Sequence, residues 1–478
     1  MRQVNGKRSG SAGWTLAVVS AALFMVTLDN LVVTTALPSI REDLGASIED
    51  LEWTVNAYTL SFAVLLITGA ALGDRFGRKR VFTLGLGLFT LSSAAAALAP
   101  SIGALVTARA LQGAGAAMVT PLTLTLLAEA FPAARRGVAL GIWAGVSGLG
   151  VALGPFVGGA VVEGISWHWI FWLNVPTGLV LIPLAVQRLT ESFGPAGKLD
   201  LPGLGLAATG LFGVTFGIVR ASSLGWDSAT VLISLVAGAA LLVAFGVVER
   251  RVAAPMLPLH FFRSRGFSAS NGVGFAMFFG VFGSIFLLSQ YFQTARGYGP
   301  FQAGLRTLPW TGMPMLVAPI AGAFSDRIGS RPLMVAGLAL QAVAIGWLST
   351  LLALDTAYSS LIIPFVLGGT GMALVFAPQA NAILAAVKPS EAGQASGAAN
   401  AIRELGGVMG VAVLASVFSA SGSYASPQAF VDGVSAALPV GAGVLAAGAL
   451  VALLVPGRRP AVSSAPAEAD AVATPVAA

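Results

Sequence analysis

Fourteen apolar segments of roughly twenty residues divide this chain, and short loops between them hold most of its charge. The segments cover about 14–38, 51–72, 81–99, 103–128, 138–162, 168–187, 201–220, 229–248, 269–292, 302–324, 332–352, 358–380, 397–419 and 436–455. In hydrocarbon every backbone N–H and C=O must find its partner inside the protein, which leaves only helices and closed barrels. The segments are continuous and do not alternate, so the expectation is an all-α polytopic membrane protein. Composition agrees. Charged residues make up 10% of the chain, against roughly 25% in soluble domains.

The loop charges predict orientation. Of the 26 Lys and Arg residues, 20 fall at the termini or in the loops that share their side. Only Arg41, Arg220 and Arg296 fall in the opposite loops, and Arg109, Arg306 and Arg403 lie in or at the edge of spans. This bias places both termini in the cytoplasm. The net charge of +6 is therefore topological, with no basic face or tail of the kind that binds nucleic acid.

The chain repeats itself. Gly73-Asp74-Arg75-Phe76-Gly77-Arg78-Lys79-Arg80 lies between the second and third segments, and Ser325-Asp326-Arg327-Ile328-Gly329-Ser330-Arg331-Pro332 follows 252 residues later in the same setting. At an offset of 256, Gly137, Gly141, Gly150 and Gly154 match Gly393, Gly397, Gly406 and Gly410. Two parallel six-span repeats are expected, with segments seven and eight inserted between them. Such halves are typical of secondary transporters, with a cavity at their interface. The expected divisions are residues 1–190, an insertion and cytoplasmic linker at 191–265, residues 266–457, and a disordered tail at 458–478. Within the linker, the apolar stretch 256–262 is expected at the membrane interface.

No chemistry of the usual enzymatic kinds is legible. Cysteine is absent, and His168 and His260 have no ligand-like neighbours, so neither a metal site nor thiol catalysis is expected. No phosphate-binding Gly-rich loop ending in Gly-Lys-Ser/Thr occurs, which excludes an ATP-driven pump of that type. No cofactor is expected beyond a proton gradient.

Three intramembrane charges are the candidates for coupling. Asp29 falls past the middle of the first span, where an ionised carboxylate costs about 2.5–3.5 kcal/mol on insertion scales. It is a candidate proton or cation site, or a carboxylate that merely pairs. Arg109, roughly two turns into the fourth span, stays charged and can hold or release such a carboxylate, the alternative being a structural salt bridge between helices. Glu404, beside Arg403, is the third candidate, the alternative being a solvated position at the membrane edge. In the repeated turn, Gly77 permits a sharp bend, and Asp74 can pair with an arginine or accept from a neighbouring helix. The duplicated Asp74-Arg75 and Asp326-Arg327 favour a specific contact over orientation by charge alone. Gly150, Gly154, Pro155, Gly158 and Gly159 make the fifth span a candidate for close packing and a bend.

Taken in order, these pieces resemble the major facilitator superfamily, and within it the fourteen-span drug:proton antiporters. Gly73 to Arg80 is similar to the superfamily's signature between spans two and three. Leu28 to Pro38 is similar to the first-span signature of the fourteen-span group, with Asn30 departing mildly. Trp53 and Tyr58, then Arg109, Gln112, Gly113 and Gly115, then Trp169 to Pro176, match further signatures of that group. Gly148, Gly154, Pro155, Gly158 and Gly159 resemble the fifth-span pattern associated with export.

The resemblance implies two six-helix bundles plus two inserted helices, proton coupling through Asp29 and Arg109, and a cytoplasmic gate at Gly73, Asp74, Arg75, Gly77, Arg78, Asp326 and Arg327. It implies an export-specific bend at Gly154-Pro155. The expected protein is a monomeric, proton-driven exporter of lipophilic compounds in a bacterial cytoplasmic membrane, its partners being that substrate, protons and the bilayer. Few intramembrane acids argue against multiply charged cations. The alternatives are a transporter of a physiological solute such as a lipid precursor, siderophore or amino acid, a membrane sensor on a transporter-like fold, and a membrane-embedded enzyme.

Overall fold

The computed structural model describes residues 4–46, 48–194, 200–252, 255 and 257–457. The predicted disordered tail at 458–478 lies outside them, as does Met256 of the predicted interfacial stretch. The described residues form sixteen α-helices and no strand, as expected. In chain order these are α1 (Val4–Leu44), α2 (Ile48–Phe76), α3 (Arg78–Ala97), α4 (Ile102–Ala130), α5 (Ala133–Gly164), α6 (His168–Trp172), α7 (Asn174–Arg188) and α8 (Leu201–Leu224). There follow α9 (Ala229–Glu249), α10 (Arg265–Gln290), α11 (Pro300–Thr311), α12 (Met313–Ile328), α13 (Ser330–Leu351), α14 (Tyr358–Ala385), α15 (Ala392–Ser421) and α16 (Pro427–Ala452).

Helix ends follow local chemistry. Ser101 accepts from the Ala104 N–H to start α4, and Asp200 and Ser426 cap α8 and α16 in the same way. Gly77 and Gly329, the glycines of the repeated turns, both have positive φ (105° and 87°), which lets α2 pass to α3 and α12 to α13 without a loop.

Thirteen helical stretches among the described residues are long and apolar enough to cross a membrane, against fourteen expected. The difference lies at 302–324. That segment is divided at Gly312 into α11, of 12 residues, and α12, of 16. Pro309 and Pro314 flank the break. Each removes a backbone donor and crowds the preceding turn, so the ladder is interrupted on both sides of the glycine.

The outer surface is the inverse of a soluble protein's. The best window of α9 has a mean hydropathy of 2.7, yet 17% of it is buried. Leu232, Ile233, Val236 and Val243 face outward from it. Such a surface suits hydrocarbon, and the chain is a multi-pass membrane protein.

Helices α1–α7 pack mainly among themselves, as do α10–α16. The two sets meet along a seam where α5 lies on α12 and α2 on α15, with α14 and α4 adding contacts. Helices α8 and α9 pack on each other, and α8 also touches α2 and α15. At one end of α8 the Arg220 guanidinium lies 5.0 Å from the Trp53 ring of α2, and beyond it Trp226 Nε1 donates to Ser416 Oγ of α15 at 2.6 Å. Small residues set the closest approaches: Gly115 of α4 sits on Phe89 of α3, and Gly141 of α5 on Pro319 of α12.

Candidate functional site

Asp29 and Arg109 form a buried ion pair. Arg109 Nη1 donates to Asp29 Oδ2 at 2.6 Å, and the two residues are 0% and 2% exposed. The other carboxylate oxygen accepts from Gln112 Nε2 at 2.8 Å and from Asn174 Nδ2 at 2.6 Å. Arg109 Nη1 also reaches Gln112 Oε1 at 2.7 Å, and Nε reaches the Thr54 carbonyl at 3.3 Å. Asn174 donates in addition to Ser93 Oγ, which itself donates to the Phe171 carbonyl. The Tyr58 ring covers the guanidinium, 4.3 Å from its central carbon. Helices α1, α2, α3, α4 and α7 thus converge on one buried polar cluster. Two charges removed from water are tolerable only with this density of hydrogen bonds.

Next to the cluster lies a cavity of about 100 Å³ at the seam. Asn30 and Tyr58, neighbours of the ion pair, line it together with aromatic side chains from both sets of helices, Phe62 and Trp143 on one side and Phe278, Phe282 and Phe376 on the other. Arg403 and Glu404 line it from α15. They therefore face the interior of the molecule, not a solvated membrane edge. Glu404 makes no hydrogen bond or ion pair among the described residues.

The repeated turns fold alike. Asp74, at the end of α2, has its carboxylate against the first turn of α15 at Gly393 and Gln394. Asp326, at the end of α12, has its carboxylate against the early turns of α5 at Gly137 and Val138. The two contacts cross the seam in opposite directions, and each sets an acid on the positive end of a helix. The glycines paired by the sequence repeat, Gly137 and Gly393, are the receiving positions. Asp74 Oδ1 accepts from Arg78 Nε at 2.7 Å, and Arg78 also pairs with Glu129 of α4. The arginine that Asp74 pairs with is Arg78, whereas Arg75 is exposed, because adjacent helical residues point apart and i and i+4 share a face. Arg327 is exposed as well. In the second copy Ser330 stands where Arg78 stands in the first, and it bonds to Ser325 Oγ at 2.9 Å.

The glycines of α5 serve three neighbours. Gly137, Gly141, Gly145 and Gly148 meet α12 across the seam. Gly150, Gly154 and Gly158 meet α1 at Thr27, Leu31 and Thr35, and Gly159 meets Phe301 of α11. The helix runs unbroken through Gly154 and Pro155, and the Pro155 side chain lies outside the described residues.

Sequence reasoning picked out Asp29 and Arg109 but not Ser93 or Thr54 as their supports. Gln112 and Asn174 were visible only as parts of signature stretches. An amide at the head of an otherwise apolar helix was the available signal for Asn174.

The sequence pattern of the Major Facilitator Superfamily matches residues 19–200, 201–411 and 272–478. The chain is 35% identical over 402 residues to the tetracenomycin C resistance and export protein of Streptomyces glaucescens, covering 84% of this chain and 74% of that one. It is 39% identical over 434 residues to the cephamycin export protein CmcT of Amycolatopsis lactamdurans, covering 88% of each. Among solved structures, the proton:xylose symporter XylE superposes with a TM-score of 0.68 at 16% identity, over 94% of this chain and 97% of that one. The fold, the sequence pattern and the relatives agree: this chain belongs to the major facilitator superfamily.

Proposed function

We propose that the protein is a proton-coupled antiporter that exports lipophilic compounds, antibiotics among them, across a bacterial cytoplasmic membrane. The observation that carries this reading is the buried Asp29–Arg109 pair, placed directly behind a cavity shared by both sets of helices. The relatives named as resistance and export proteins support the direction of transport. In this reading the broken helices α11 and α12 act together as the fourteenth span. Residues 1–190 and 266–457 are the moving halves, both termini are cytoplasmic, and the monomer is the working unit.

The cycle follows from the charges. A proton entering from outside neutralises the Asp29 carboxylate, and Arg109, which keeps its charge, loses its counter-ion. The pair then no longer holds α1 and α4 in one arrangement, and the halves rock about the bound site. Asp74 and Asp326 hold the cytoplasmic side closed while the outer side is open. The Gly154-Pro155 stretch of α5 supplies the flexibility for export, and Glu404 takes part in coupling from the cavity wall. The gradient is the energy source, and no bound cofactor enters the cycle.

The experiment is export of a lipophilic fluorescent dye from proteoliposomes under an imposed pH gradient. Export is expected to stop when an uncoupler collapses the gradient. Export that continues at the same rate overturns the proton coupling.

A further inference from the structure

Two residues that line the cavity each carry a buried donor atom without an acceptor, one from each side of the seam. The Arg403 side chain is 5% exposed. Its guanidinium carbon lies 5.2 Å from the ring centroids of both Phe278 and Phe376. A guanidinium has five N–H donors. Here Nη2 donates to Asn400 Oδ1, and Nε has no partner. No carboxylate among the described residues lies within ion-pair distance of it, although Glu404 is within electrostatic reach. On the other side, the Tyr58 hydroxyl is buried and likewise without a partner.

A buried cation whose donors are not saturated is unfavourable by itself even with Glu404 nearby, and a ligand that supplies the missing acceptors is bound for that reason. The aromatic faces hold the guanidinium in place by cation–π attraction without using its donors. The fork geometry of arginine suits a carboxylate, and the neighbouring rings suit a flat frame. We propose that the cavity recognises planar aromatic acids, whose carboxylate accepts from Arg403 and Tyr58 while the ring system lies among Phe62, Trp143 and Phe376. This assigns a substrate class to the exporter proposed above. It rests on that reading for the transport step, but not for binding.

The test uses two probes with one single-ring frame in keeping with the small cavity, 4-nitrobenzoate and 4-nitrobenzamide. Their binding to the purified full chain in nanodiscs is read by quenching of tryptophan fluorescence. The acid is expected to bind at least tenfold more tightly than the amide. In R403Q that ratio is expected to fall to near one, and in R403K to lie between. Equal affinities in the unsubstituted chain, no binding of either probe, or a ratio preserved in R403Q would overturn the proposal. Because the unsubstituted chain alone gives the ratio, poor folding of R403Q does not leave the question open. Gradient-driven movement of the acid in proteoliposomes is measured separately. A tenfold preference for the acid in the unsubstituted chain without its movement would overturn the export reading and leave this one standing.

Discussion

The carboxylate of Asp74 lies so close to Gly393 that no side chain fits between them. The contact crosses the seam from the end of α2 to the start of α15, and Asp326 repeats it against Gly137. A methyl group at position 393 therefore has to push the acid away from the helix end. We expect Gly393→Ala to weaken this contact by about 1–3 kcal/mol, the usual cost of an overpacked site. The chain contains no cysteine, so a single Ser396→Cys is a clean reporter there. Ser396 is buried and donates to the Pro121 carbonyl of α4 across the same seam. Its labelling by a maleimide is expected to rise several-fold in the Gly393→Ala background, and unchanged labelling would count against the latch.

The two contacts differ in their cations. Arg78 is 0% exposed and pairs with both Asp74 and Glu129, whereas Ser330 occupies the equivalent place in the second copy. Removing one member of a buried pair leaves the other charge uncompensated, which costs roughly 3–5 kcal/mol. Arg78→Gln is expected to lower the thermal unfolding midpoint in detergent well below that of Ser330→Ala. Equal midpoints would show that the first copy gains nothing from its arginine.

Asp29 holds three donors, so its neighbours differ in what their loss removes. Asp29→Asn removes the carboxylate charge, and export in everted vesicles is expected to fall at least tenfold with the protein level unchanged. Asn174→Ala removes one charge-assisted hydrogen bond, worth about 1.5–3 kcal/mol, and leaves the ion pair to Arg109. A partial loss of export is expected there. Full export by Asp29→Asn would remove this residue from the mechanism.

Glu191 acts at a distance from the cavity. Its Oε1 accepts from the Lys79 N–H at 2.9 Å, and so caps the start of α3 just after the left-handed Gly77. The Arg78 N–H donates to the Ser192 carbonyl beside it. Glu191→Ala is expected to cost about 1 kcal/mol, the usual worth of a helix cap. Faster amide exchange confined to residues 78–81 would identify it, and unchanged exchange would show that Ser192 suffices.

Much of this protein was readable because membranes are an unforgiving solvent. Each span must be long, apolar and helical, so the all-α fold and the parallel repeat stood out in the linear chain. Charges inside spans are rare for the same reason, and that rarity singled out Asp29 and Arg109. The same reasoning counted 302–324 as one span, because hydropathy ignores backbone geometry. Pro309, Gly312 and Pro314 together divide it.

Partners were another matter. Asn174 lies 145 residues from Asp29, and only the packing of α7 against α1 brings them together. Gly137 and Gly393 were legible as repeated glycines, but not as the seats of Asp326 and Asp74. Arg403 and Glu404 are adjacent in the chain, and nothing in their order shows that both face one cavity. The sequence by itself determined which segments are apolar and helical and that they repeat in two sets, because these depend on local polarity and period. The tertiary structure decided which charges meet, since helix neighbours are selected by the fit of small residues across the seam, and that fit is not local.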